Sequence, residues 1–173
     1  TKCGFVALIG EPNAGKSTLL NRMVGAKVSI VTHKVQTTRA RIRGVALEGQ
    51  TQLIFVDTPG LFAPKRRLDR AMVSAAWAGA ADADMVVLMI EAHRGLTPGV
   101  QTILDTLKER MAEGREVVLA INKIDRVKAE ELLALSEKLN AEYKFAETFM
   151  ISAERGHGVK DLRQYLVGKY TMG

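Results

Sequence analysis

Gly10, Gly15, Lys16 and Ser17 stand in the spacing G-x-x-x-x-G-K-S, with Glu11, Pro12, Asn13 and Ala14 between the glycines and Thr18 after them. Each type in that pattern suits a polyphosphate. Glycines permit backbone angles and a close approach that a Cβ would block, so successive N–H groups can turn inward on phosphate oxygens. A lysine brings a mobile cation to the β- and γ-phosphates, and a serine hydroxyl can ligate Mg²⁺. The pattern follows the apolar run Phe5–Ile9 and precedes a helical pattern from Lys16 to Val24. The helix start adds a positive dipole end to the anion site. Spacing and context are those of a P-loop, and they imply binding of nucleoside phosphates.

Two further segments address the base. Asn122, Lys123, Ile124 and Asp125 follow the apolar run Val117–Ile121, and ligands of open α/β sheets bind at such strand ends. A carboxylate at Asp125 can accept from guanine N1–H and N2–H₂, donors that adenine does not offer in that arrangement. Asn122 can hold the purine's other edge or tie loops together, and the Lys123 stem can cover the base face. Alternatively, the segment is a polar turn with Asp125 as a helix N-cap. Ser152, Ala153 and Glu154 close a third apolar strand end. Small side chains there would leave backbone N–H groups free to face a carbonyl such as guanine O6.

Between these segments, Asp57-Thr58-Pro59-Gly60 ends the apolar run Leu53–Val56. An aspartate there can hold Mg²⁺ through water, and the Gly60 N–H can reach a γ-phosphate. Gln36-Thr37-Thr38-Arg39 falls in a polar stretch with little periodicity. Thr38 (or Thr37) can close over Mg²⁺ while γ-phosphate is present and release afterwards; the other reading is a plain surface loop. The Asn13 carbonyl oxygen, with phosphate oxygens and backbone carbonyls of this first switch segment around Gln36–Arg39, would form a cage suited to a monovalent cation, or Asn13 simply braces its own loop.

The elements that must carry these residues alternate along the chain. Apolar runs place strands at 5–9, 41–47, 52–56, 85–90, 117–121 and 148–151, and helical spacing places helices at 16–24, 68–80, 98–111, 128–140 and 159–169. Gly49 reads as the tip of a hairpin joining the second and third strands. The fold class is α/β: a P-loop NTPase fold with a six-stranded, mostly parallel sheet and helices on both faces. Met72 and Trp77 read as core, and His33, His93 and His157 lack metal-ligand spacing.

Together the segments Gly4–Asn21, Gln36–Ile42, Asp57–Leu61, Asn122–Asp125 and Ile151–Glu154 resemble the Era family of bacterial ribosome-assembly GTPases, in the translation-factor-like branch. The similarity runs from Lys2 to about Tyr170. It implies a GTP/GDP switch with slow hydrolysis, acting on 16S rRNA and the 30S subunit. It also implies Mg²⁺ held by Ser17, Thr38 and Asp57, with Lys16, Thr38, Gly60 and Asn13 acting in hydrolysis. Relatives with Pro-Asn in the P-loop include potassium-activated members, which raises K⁺ as a second cofactor. Peripheral association with the inner membrane is a further expectation. Family members carry a C-terminal KH-type RNA-binding domain, and this chain stops at Gly173, so it reads as residues 1–173 of a G domain alone. Leu61 stands where Ras-like enzymes have a water-orienting glutamine.

At 173 residues and 47% hydrophobic, the chain can bury one full core without staples. Its single cysteine, Cys3, cannot form an internal disulfide and fits a reducing cytoplasm. The longest clean apolar run, Met85–Ile90, is far too short to span a bilayer, and no secretory signal opens the chain. The absence of an initial Met fits a partial sequence. A net charge of +6 admits an anionic partner. Arg39, Arg41 and Arg43, and Lys65, Arg66, Arg67 and Arg70, flank the proposed switches; they form a solvated face or a ribosomal RNA contact. Two rivals remain: a nucleotide-gated scaffold in which hydrolysis only resets the state, and an ATP-using enzyme, which Asp125 disfavours.

Overall fold

Alternation of apolar runs with helical patterns becomes a sheet flanked by helices. The computed structural model describes residues 2–11, 14–24, 41–48, 51–57, 84–110 and 116–171. In chain order these form β1 (Lys2–Gly10), α1 (Lys16–Met23), β2 (Arg41–Glu48), β3 (Thr51–Asp57), β4 (Met85–Glu91), α2 (Pro98–Arg110), β5 (Val117–Asn122), α3 (Ala129–Glu142), β6 (Glu147–Met150) and α4 (Val159–Thr171). The expected helix over 68–80, the hairpin tip at Gly49, His33, Met72, Trp77 and the basic group at 65–70 lie outside the described residues.

The six-stranded sheet has the order β2-β3-β1-β4-β5-β6. Only the β2–β3 pair is antiparallel, with a register shift between Ile42 and Gly44, and the other four pairings are parallel. Parallel neighbours need crossovers, which α2 supplies between β4 and β5 and α3 between β5 and β6. From β1 the chain builds outward to β3 on one side and to β4 on the other. The crevice at the carboxyl end of β1 is therefore the switch point where such sheets bind ligands.

Each strand sends alternate residues to opposite faces. One face carries Ile9, Ile54, Leu88 and Leu119 against α2 (Ile103, Leu104, Leu107) and α3 (Leu139). The other carries Leu8, Phe55, Met89 and Val118 against α1 (Leu19, Leu20, Met23) and α4 (Leu162, Leu166). Burial on both faces explains why β4 and β5 read as continuous apolar runs, since every residue of both strands is buried.

Boundaries moved where hydrogen bonding outweighed hydrophobicity. β1 begins at Lys2 rather than Phe5, because pairing with β3 extends to Lys2 opposite Thr51. α3 continues past Asn140, whose Nδ2 donates to Ser136 O at 2.9 Å and to Thr148 Oγ1 at 3.1 Å, so this asparagine is held on the helix instead of ending it. α2 starts where Thr97 accepts the Val100 N–H on its Oγ1 at 3.1 Å, with Pro98 at the first helical position.

Candidate nucleotide-binding site

The loop from β1 to α1 is shaped by two glycines used in different ways. Gly15 has φ 100°, in the left-handed region that a side chain disfavours. A Cβ on Gly15 would also come within 2.2 Å of Asn122 Nδ2. At Gly10 the constraint is close approach, because a Cβ would lie 2.8 Å from the Met89 carbonyl oxygen on β4. The loop closes with the Ala14 N–H donating to Glu11 O at 3.0 Å. Lys16 folds back over it, its Nζ 3.2 Å from Gly10 O.

Gly15, Lys16, Ser17 and Thr18 line an open cavity of about 610 Å³, together with Lys123, Arg126 and Glu154. Three elements thus meet there: the start of α1, the end of β5 and the loop after β6. Lys16, Lys123 and Arg126 outnumber the single carboxylate of Glu154, so the cavity suits a polyanion. Arg126 lies just past the Asn122–Asp125 segment and carries no motif signal in the sequence.

Asn122 joins these elements. It is 2% exposed, its Nδ2 donates to Ala14 O at 2.8 Å, and its Oδ1 accepts from the Ala153 N–H at 2.9 Å. Of the two uses open to it, tying loops together is the one the structure adopts. The expectation of free N–H groups at Ser152 and Ala153 is corrected. The Ser152 N–H donates to His157 O at 2.9 Å and the Ala153 N–H is taken by Asn122. Strand-like bridging between Ser152 and His157 consumes a group that small side chains alone would leave open. The next N–H, that of Glu154, has no acceptor among the described residues.

Asp125 sits in a 3-10 turn, Ile124–Arg126, whose cap is Lys123, whereas α3 is capped by Lys128. It caps neither helix, so the N-cap reading fails. Its Oδ2 lies 3.5 Å from Arg155 Nε, in a pair whose side chains are 30% and 65% exposed, too solvated to contribute much. Lys123 has φ 62°, unusual for a side chain of its length. Its Nζ reaches Glu91 Oε2 at 3.0 Å. Glu91 is buried at the end of β4, and His93 Nε2 also approaches it at 3.3 Å. In sequence this carboxylate merely ends an apolar run, which is why its hold on Lys123 was missed.

Glu11 stands in the phosphate loop but turns its side chain to another element. Its Oε1 accepts from Thr97 Oγ1 at 2.6 Å, so the side chain belongs to the start of α2 and only its backbone serves the loop. Asp57 ends β3, in register with Leu8 of β1, at the sheet edge that carries the cavity. Pro12, Asn13, Thr37, Thr38, Gly60 and Leu61 lie outside the described residues. Among the described residues no group of three or more His, Cys, Asp or Glu side chains could hold a metal, and no helix is long and apolar enough to cross a membrane.

Comparison with known proteins places this geometry. The family described as 50S ribosome-binding GTPase matches residues 5–123. The chain is similar to GTPase Era of Dinoroseobacter shibae, 76% identical over 166 residues that cover 96% of this chain and 54% of the relative. It is similar to GTPase Era of Mesorhizobium japonicum, 59% identical over 173 residues, 100% of this chain and 55% of the relative. The chain thus spans about half the length of the curated relatives it matches. An Aquifex aeolicus Era variant crystallised with GDP·AlF4⁻ superposes with TM-score 0.75 at 36% identity, over 98% of this chain and 57% of that one. Era crystallised with MgGDPNP and nucleotides 1506–1542 of 16S ribosomal RNA superposes with TM-score 0.76, also at 36% identity and over the same shares. The chain belongs to the 50S ribosome-binding GTPase family, and within it the chain resembles GTPase Era.

Proposed function

We propose that the chain is a GTP-binding and GTP-hydrolysing switch, the G domain of a protein that acts in small-subunit assembly through 16S rRNA. One observation carries the reading: a buried Asn122 bonds at once to the phosphate loop and to the loop after β6, and residues next to it in both loops and in the turn after β5 line one cavity, among them Gly15, Lys16, Lys123 and Glu154. That single amide fixes the spacing between a phosphate site and a base site. Phosphates lie against Gly15, Lys16 and Ser17, and the base lies under Lys123 with Asp125 at its N1–H and N2–H₂ edge. Support for the RNA partner comes from the similar Era crystallised with 16S rRNA nucleotides.

The residues present suit Mg²⁺. Ser17 is exposed at the cavity wall and Asp57 ends the neighbouring strand, which gives hard oxygen donors few enough to leave room for water and phosphate. Ser17, Asp57 and Thr38 would hold the ion, which when bound neutralises charge on the β- and γ-phosphates. The chain's own work is positioning: Lys16 faces the phosphates, and Thr38 and Gly60 engage only while γ-phosphate is present. Without a glutamine at 61, another group must support the attack. Asn13 is assigned to a K⁺ ion there, supplying charge where an arginine finger would. The protein works in the cytoplasm, with peripheral contact at the inner membrane.

Phosphate release should be seen from GTP and not from ATP. Lys16→Ala should lose most triphosphate affinity and Ser17→Ala chiefly its Mg²⁺-dependent part. Equal turnover of ATP would end the guanine reading. Turnover should also be faster in K⁺ than in Na⁺ at equal ionic strength, and Asn13→Ala should erase the difference with GDP affinity kept. Equal rates in both salts would leave Asn13 a structural residue.

A further inference from the structure

Arg22 lies in the last turn of α1, the helix whose other end forms the phosphate site. Its guanidinium reaches across to the loop after β6. Nε donates to Ala153 O at 3.0 Å, and Nη2 donates to Glu154 O. One planar fork therefore holds two consecutive carbonyls, a geometry that arginine supplies and lysine does not. Gly156 completes the fit, since a Cβ there would stand 3.3 Å from Arg22 Nη1.

Consecutive carbonyls of an extended chain point in opposite directions, so a shared donor means that the backbone bends around Arg22. The peptide is planar and trans. A carbonyl of Ala153 turned to Arg22 therefore turns the Glu154 N–H the opposite way. A carbonyl of Glu154 turned to Arg22 likewise turns the Arg155 N–H away, where Ser152 Oγ accepts it at 3.3 Å. Of the N–H groups in this bend, those of Ser152, Ala153 and Arg155 have acceptors within the protein. Glu154 lines the cavity.

We infer that Arg22 is a positioning residue for purine recognition: by holding the Ala153 and Glu154 carbonyls it aims the Glu154 N–H at the 6-oxo group of the base. This rests on the guanine site proposed above. It adds that discrimination at the 6-position is set from the phosphate-side helix, independently of Asp125, which reads the 1- and 2-positions.

The test compares GDP with two analogues on the purified chain by calorimetry. 6-Thioguanosine diphosphate changes only the acceptor at position 6, and inosine diphosphate lacks only the 2-amino group. The unmodified chain should prefer GDP to both. Arg22→Ala should bring the GDP to 6-thio-GDP affinity ratio close to one, with GDP itself weakened roughly tenfold, and should keep the GDP to IDP ratio. Arg22→Lys, which retains charge and stem, should give an intermediate 6-thio ratio. If Arg22→Ala keeps the 6-thio ratio, or if both ratios fall together, the inference is overturned. No preference for GDP over IDP in the unmodified chain would instead remove the guanine site itself.

Discussion

Asp125→Asn should turn a GTP binder into a xanthosine triphosphate binder. The carboxylate would accept two hydrogen bonds from guanine, and bonds to a charged acceptor contribute about 1.5–3 kcal/mol each. Losing both is worth about 3–6 kcal/mol, at least a hundredfold in GTP affinity. Xanthine carries a 2-oxo group that can accept from the new amide, so its triphosphate should gain what GTP loses. The Arg155 partner softens this little, because that pair is largely solvated. Competition binding with both triphosphates decides it. Unchanged GTP affinity in the variant would show that the base does not lie against this 3-10 turn.

Asn122→Ala should damage the fold and the site together. Removing the amide strands the Ala14 carbonyl and the Ala153 N–H, both on buried residues. An unsatisfied buried group costs about 1–3 kcal/mol, so about 2–6 kcal/mol of stability should go. For a domain of this size each kcal/mol lowers Tm by about 2–4 °C. Nucleotide affinity should fall at least tenfold beyond that, because the two loops are no longer spaced by a common partner. Asn122→Asp separates the halves of the bridge: it keeps an acceptor for the Ala153 N–H and sets a carboxylate against the Ala14 carbonyl. Thermal melts with and without GDP measure both terms. A variant that melts lower and binds GDP normally would reduce Asn122 to a scaffold.

The strands were legible because burial on both faces leaves an unbroken apolar run, as in Met85–Ile90 and Val117–Ile121. The phosphate loop was legible because glycine positions report backbone constraints directly, and Gly10 and Gly15 each meet one. Direction of side chains was not. Asn122 offers a donor and an acceptor whatever it faces, so its type left two uses open until both atoms were seen to be taken. The Ser152 and Ala153 amides failed for a related reason, since a bridge to His157 five residues on carries no local signature. Arg22 reads as a solvated position on an amphipathic helix, and its reach to residue 153 depends on α1 and the loop after β6 ending side by side. Glu11 sits inside the strongest motif of the chain and still points elsewhere.

That last contact has a consequence for how this sequence can drift. Four places between the glycines of G-x-x-x-x-G-K-S are nominally free to vary. Here the first of them is committed. Glu11 bonds the hydroxyl of the residue that caps α2 and lies so close to Gly99 that a Cβ there would come within 2.3 Å of Glu11 Oε2. Its negative charge also faces the positive end of that helix. A lineage that places lysine or arginine at position 11 would set like against like, and one that places alanine at 99 would crowd the carboxylate. Inherited change at positions 11, 97 and 99 is therefore bound together, and a helix on the far side of the sheet from α1 constrains which phosphate loops its descendants can carry.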